Sequence, residues 1–176
     1  MEQQAPALNK SQAVALAEFL RTSLELDLRD LEALNTLLSE ERSALEQTEI
    51  ASLQAIAGRK SDLVSELDRR AKQRQTQLQA NRLPSQGSQD WLKTIEHIES
   101  KSGLKLWALW RDVEAALKNC NTLLQINEKI ISAMHHSASR FIDELHEKSG
   151  AQKAGTYGAK GEIGSRSSRS QPLVSA

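Results

Sequence analysis

The chain has 176 residues, with 23 Lys and Arg against 23 Asp and Glu, so its formal charge is zero. That balance argues against a dedicated nucleic-acid binder, which carries a clear basic excess. Leu (25) and Ala (21) dominate while Val (4), Phe (2) and Tyr (1) are scarce, which disfavours a β fold, and no window reaches the ~18 apolar residues that a membrane span needs.

The N-terminal stretch Met1–Asn9 is polar and does not read as a signal peptide. The single cysteine, Cys120, excludes an internal disulfide and fits a reducing compartment. Between Ser11 and Arg82 there is no proline, and Gly58 is the only glycine. This stretch is rich in strong helix formers and predicts helix over 11–82, with Ser11 as its N-cap. Leucines recur every seven residues at Leu24, Leu31, Leu38 and Leu45, a coiled-coil-like seam with Leu28 and Leu34 between them. The seam resumes at Leu53, Ile56, Leu63 and Leu67 after a step of eight. A bend or break within 46–52 and a continuous helix both fit that step. Residues 18–49 hold nine acids against three bases, and residues 59–82 seven bases against three acids. A chain that bends near 50 lets the two arms attract; solvated faces are the plainer reading of the same charges.

Arg82-Leu-Pro-Ser-Gln-Gly-Ser88 predicts a loop. Ser88 is placed to cap a short helix over 89–101 carrying Trp91, Leu92, Ile95 and Ile98 at helical spacing, and Ser102-Gly103 ends it. From Leu104 to about Lys148, alternating steps of four and three give Leu106, Trp110, Val113, Leu117, Cys120, Leu124, Asn127, Ile131, Met134, Ala138, Phe141 and Leu145. This is a sustained heptad stripe on one long helix, and Trp107, Leu109, Leu123, Ile126, Ile130 and Ile142 widen it. A face that wide meets more than one helix or leaves a groove for a partner. Residues 149–176 hold five of the eight glycines and six serines and carry a net charge of +3. They bury too little to fold and predict a disordered basic tail. The expected fold is all-α, an antiparallel, coiled-coil-like helical bundle or hairpin of long helices over 1–148 with that tail over 149–176.

No catalytic constellation is present. Adjacent His135 and His136 point about 100° apart on a helix, and Asp143 with His146 is one imperfect copy of a pair that di-iron bundles use twice. No metal or cofactor is expected. Cys120 lies on the stripe, where a buried, inert thiol is expected. Asn127, alone among apolar neighbours, reads as a register device or as a contact to a partner's backbone. Trp91, Trp107 and Trp110 read as core or as partner anchors. Tyr157 is the single tyrosine, in the tail segment Gly155-Thr-Tyr-Gly-Ala-Lys-Gly161, and has no core to join.

Several of these pieces resemble the FlgN family of flagellar export chaperones. They are Glu41-Arg-Ser-Ala-Leu45 with Leu53-x-x-Ile56 and Lys60-x-x-Leu63, Asp90-Trp-Leu92, Leu106-Trp107, Asn121…Asn127…Ile130-Ile131, and Thr156-Tyr-Gly-Ala-Lys-Gly161. The likeness covers roughly residues 20–162. Glu128 departs from it, standing where members commonly have Gly. The resemblance implies a cytoplasmic, non-enzymatic chaperone. Its implied cargo is the C-terminal regions of the two hook–filament junction proteins (FlgK-like and FlgL-like), kept from associating prematurely and brought to the flagellar type III export gate. It implies cargo binding by the last long helix, here Trp107, Trp110, Leu117, Leu124, Asn127, Ile130, Ile131 and Met134. It also implies docking of Tyr157 to the gate's membrane component, and it extends the partners to the export ATPase complex. The competing reading is a self-associating helical-bundle adaptor with no export role.

Overall fold

In the computed structural model, residues 8–84 and 87–153 are described, without the side chains at 88 and 149–153. Four helices account for them: α1 (Lys10–Gln47), α2 (Ile50–Ala80), α3 (Ser88–Ser102) and α4 (Trp107–Lys153). The chain divides into two units, Met1–Ile131 and Ser132–Ala176. Of the tail expected over 149–176, residues 154–176 with Tyr157 lie outside the described residues, and 149–153 continue α4 as helix instead.

α1 starts two residues earlier than Ser11 suggests. Asn9 is the N-cap: its Oδ1 accepts from the Gln12 backbone N–H at 2.8 Å, while Gln12 Oε1 accepts from the Asn9 N–H at 3.2 Å. Two otherwise orphaned donors are satisfied reciprocally. A cap at Ser11 would place Val14 three residues on, with nothing to return.

The step of eight is a break. α1 ends at Gln47, and Thr48 turns left-handed at φ 59°. The Glu49 N–H donates to the Ala44 carbonyl at 2.9 Å, the six-to-one bond of a Schellman ending. α2 then runs back along α1. Arg74 bonds Ser23, Arg70 bonds Asp27 and Asp30, and Lys60 bonds Glu41, so rising numbers on one helix meet falling numbers on the other. The charge asymmetry of the two arms therefore closes an antiparallel hairpin. For Asp27, Asp30, Glu41 and Arg70 the solvated-face reading is corrected, since all four are buried.

α1 carries two seams. Leu24, Leu31 and Leu38 pack with Val113, Ala116 and Cys120 of α4. The second seam faces α2, where Leu37 and Ala44 pack with Ile56, Leu53 and Leu63. α4 lies parallel to α1 within the first unit: Cys120 meets Leu31 and Asn127 meets Leu38, each across 89 residues. α3 adds Ile95 and Ile98, both fully buried, to a cluster with Leu16, Leu20, Leu78 and Leu106. Replacing a fully buried leucine such as Leu20 by alanine costs ~2–5 kcal/mol.

The connections are short. Arg82 is left-handed at φ 54°, and the Thr94 hydroxyl donates to the Pro84 carbonyl at 2.9 Å, fastening the loop to α3. α3 begins at Ser88 after Gly87, so Ser88 is its first residue rather than its cap. It ends at Gly103, whose φ of 77° suits a residue without Cβ. Leu104–Leu106 are not helical, and α4 begins at Trp107 rather than Leu104.

Candidate partner-binding surface

Within the first unit, the heptad row Val113, Cys120 and Asn127 faces α1 and is buried. Asn127 is 2% exposed. Its Nδ2 donates to the Leu38 carbonyl at 2.9 Å and to Glu41 Oε2 at 2.8 Å. Glu41 Oε1 in turn accepts from Lys60 of α2. One buried node thus joins α1, α2 and α4, and the Asn127 Nδ2 is engaged inside the protein rather than offered to a partner's backbone, while its Oδ1 is buried without a hydrogen-bond partner among the described residues. The Cys120 thiol is pushed up from its ordinary range chiefly by burial, against a smaller opposing backbone hydrogen bond. A thiol held protonated and covered is a poor nucleophile.

The second buried polar cluster joins α1 to α2. Arg70 Nε and Nη2 donate to Asp27 Oδ1 and Asp30 Oδ2, both at 2.6 Å, and Arg74 pairs with the other Asp27 oxygen. Burial of the Arg70 guanidinium works against its charge, but the hydrogen bonds it donates to Asp27 and then Asp30 outweigh that and leave its pKa raised. Four polar groups on two helices are mutually satisfied, which suits holding a register more than doing chemistry. Among the described residues, no group of three or more His, Cys, Asp and Glu could hold a metal ion.

The other residues that the sequence singles out on α4 divide by face. Trp110 is half-buried and packs edge-on against Trp91, ring centroids 5.2 Å apart at 66°. Leu124 is half-buried against the Leu31–Cys120 cluster, and Ile130 is half-buried. Leu117 and Ile131 are exposed. Trp107 is exposed too, on the rim of a groove of about 470 Å³ with Leu92, Lys93, Glu96 and Glu99. The expected eight-residue site is therefore not one surface. Trp110, Leu124 and Asn127 serve the first unit's own packing, and Trp107 belongs to the α3 side.

In the second unit the stripe is open. Met134, Phe141, Ile142 and Leu145 are 38%, 62%, 51% and 49% exposed. Steps of seven, eight and eleven from Met134 place them on one helical face, with Ala138 between them. Single exposed apolar residues are ordinary, but a contiguous row of four marks an interaction site. Phe141, Ile142 and Leu145 carry the stripe in the sequence but do not stand out there as site residues. The signal for them is the heptad stripe itself, which continues through Met134, Ala138, Phe141 and Leu145.

No helix among the described residues is long and apolar enough to cross a membrane. A family model described as FlgN protein matches residues 16–164, most of the chain. No curated protein and no solved structure matches it. The chain belongs to the FlgN family, and its general role is that of a flagellar export chaperone.

Proposed function

We propose that this FlgN-family chain binds the C-terminal regions of the two hook–filament junction proteins in the cytoplasm, keeps them from associating early, and delivers them to the flagellar type III export gate. The observation that carries the reading is the open stripe of Met134, Phe141, Ile142 and Leu145. An amphipathic cargo segment lays its apolar side chains along such a face by helix-in-groove recognition. Leu117 and Ile131 add exposed apolar surface in the first unit. A cargo segment that is disordered when free loses entropy on docking, which keeps the complex reversible for export. Tyr157, in the tail, docks to the gate's membrane component, and the export ATPase complex is a further contact of the delivery step. The chaperone performs no reaction of its own.

Co-purification tests the division of labour. The full chain, a chain ending at Lys153 and a Tyr157→Ala variant are each mixed with purified junction proteins and with the soluble part of the gate component. All three hold the junction proteins, and only the full chain holds the gate component. Loss of junction-protein binding on truncation would contradict the division. A tight self-associated bundle that binds neither would favour the adaptor reading.

A further inference from the structure

The two seams of α1 differ in chemistry. Toward α4 the contact is mainly leucines against Val113, Ala116 and Cys120, with uncharged amides, Asn35 and Asn127, as most of its polar content. Toward α2 the buried seam of α1 includes Ser23, Asp27, Asp30 and Glu41, answered by Lys60, Arg70 and Arg74. The apolar side chains that α2 buries are Ile56 and Leu78, with Leu53, Leu63 and Leu67 partly buried against the clusters. On separation, water takes over the hydrogen bonds of the charged groups, whereas nothing in water replaces leucine packing. The α1–α2 contact is therefore the cheaper one to open.

The backbone agrees. Thr48 and Arg82, with φ of 59° and 54°, are the two non-glycine residues of positive φ among the described residues, and they stand just outside the two ends of α2. Each is held left-handed by a helix-ending bond, Glu49 N–H to Ala44 and Leu83 N–H to Leu78. The first bond closes α1 and the second closes α2, so both survive when α2 lifts as a unit, and the two turns mark the ends of the segment that moves.

We propose that α2 is a releasable strap. It leaves α1 as a unit while the α1–α4 seam stays closed, and the face it bares accepts a basic amphipathic helix in its place. Charge selects that occupant: the bared face offers Asp27, Asp30 and Glu41 beside Leu34 and Leu37. α2 is its template, with seven bases against three acids over 59–82. The proposal stands apart from the cargo stripe of the second unit.

Native-state hydrogen exchange on the full chain, followed by mass spectrometry, tests the opening. A fluorescent synthetic peptide of residues 50–81, followed by anisotropy, tests the occupant. The amides of α2 exchange through an opening at least tenfold more frequent than the one that frees α1 and the first half of α4. The peptide binds the full chain saturably, and Asp27→Leu/Asp30→Leu/Arg70→Leu weakens it at least tenfold. Should the triple variant fail to fold, the wild-type exchange pattern and peptide titration decide alone. Exchange of α1 and α2 at one common rate, or a peptide that does not bind, overturns the proposal. Dimerisation that shuts the peptide out also overturns it, in favour of a second copy's α2.

Discussion

The side-chain amide of Asn127 donates to the backbone carbonyl of Leu38 at 2.9 Å, across 89 residues of sequence. One heptad earlier on both helices, Cys120 Sγ reaches the Leu31 carbonyl at 3.5 Å with the same separation. An apolar seam alone tolerates sliding by a heptad. The buried Asn127 discriminates, because a heptad slip offers its amide another backbone carbonyl but takes it away from the Glu41 carboxylate, to which it donates at 2.8 Å.

Asn127→Ala removes the donor that Glu41 Oε2 receives and opens a small void. We expect a loss of ~1–2 kcal/mol in urea unfolding, with the helix content of the folded state retained.

Neighbouring arginines have opposite fates. Arg70→Met leaves one oxygen each of Asp27 and Asp30 buried without its partner, Arg74 and Arg29 still reaching the others, at a cost of ~3 kcal/mol. Arg69 forms an exposed pair with Glu66, so Arg69→Met changes stability by less than ~0.5 kcal/mol. Equal effects in denaturant titration would contradict the burial assigned to the Arg70 cluster.

Two glycines separate in the same way. Gly58 is inside α2, and a Cβ there meets nothing within 4 Å, so Gly58→Ala adds ~0.5–1 kcal/mol through helix propensity. Gly103 has φ +77°, and Gly103→Ala destabilises by ~1 kcal/mol from backbone strain alone. Thermal unfolding of the two variants checks both signs.

The leucine row Leu24–Leu45 and the α4 stripe were legible because hydropathy marks them. The second seam of α1 was not. Its buried positions include Ser23, Asp27, Asp30 and Glu41, which look like a solvated face until Lys60, Arg70 and Arg74 are brought opposite. The break at Thr48 left a trace in the step from Leu45 to Leu53, though a continuous helix fitted that step equally well. The parallel pairing of α1 with α4 left none, because it depends on how α3 and its two loops route the chain. Of the candidate site, which stripe residues are open was not legible: Leu117, Ile131 and Met134 are exposed while Asn127 turns inward, and that division follows from a register that only the fold reveals.

Cys120 provides a probe of that register. Burial raises its thiol pKa, so the folded state favours the protonated form. Stability from this group is full below the unfolded thiol's pKa, about 8.5, and is lost as pH rises through the higher folded value. We expect wild type to lose stability relative to Cys120→Ala as pH rises above about 8.5. At pH 8 a disulfide reagent should label the native thiol far more slowly than the urea-unfolded one. Rapid native labelling would contradict the packing of Cys120 against Leu31.

The most direct measurement is calorimetric titration of the full chain with the purified C-terminal region of a junction protein, comparing wild type with Phe141→Ser/Leu145→Ser. Both side chains are about half exposed or more, so the variant keeps its fold, which circular dichroism verifies. The account predicts at least a tenfold loss of affinity, because burying two large apolar side chains contributes ~3 kcal/mol or more. Unchanged affinity in a folded variant would contradict the claim that the open stripe of α4 holds the cargo.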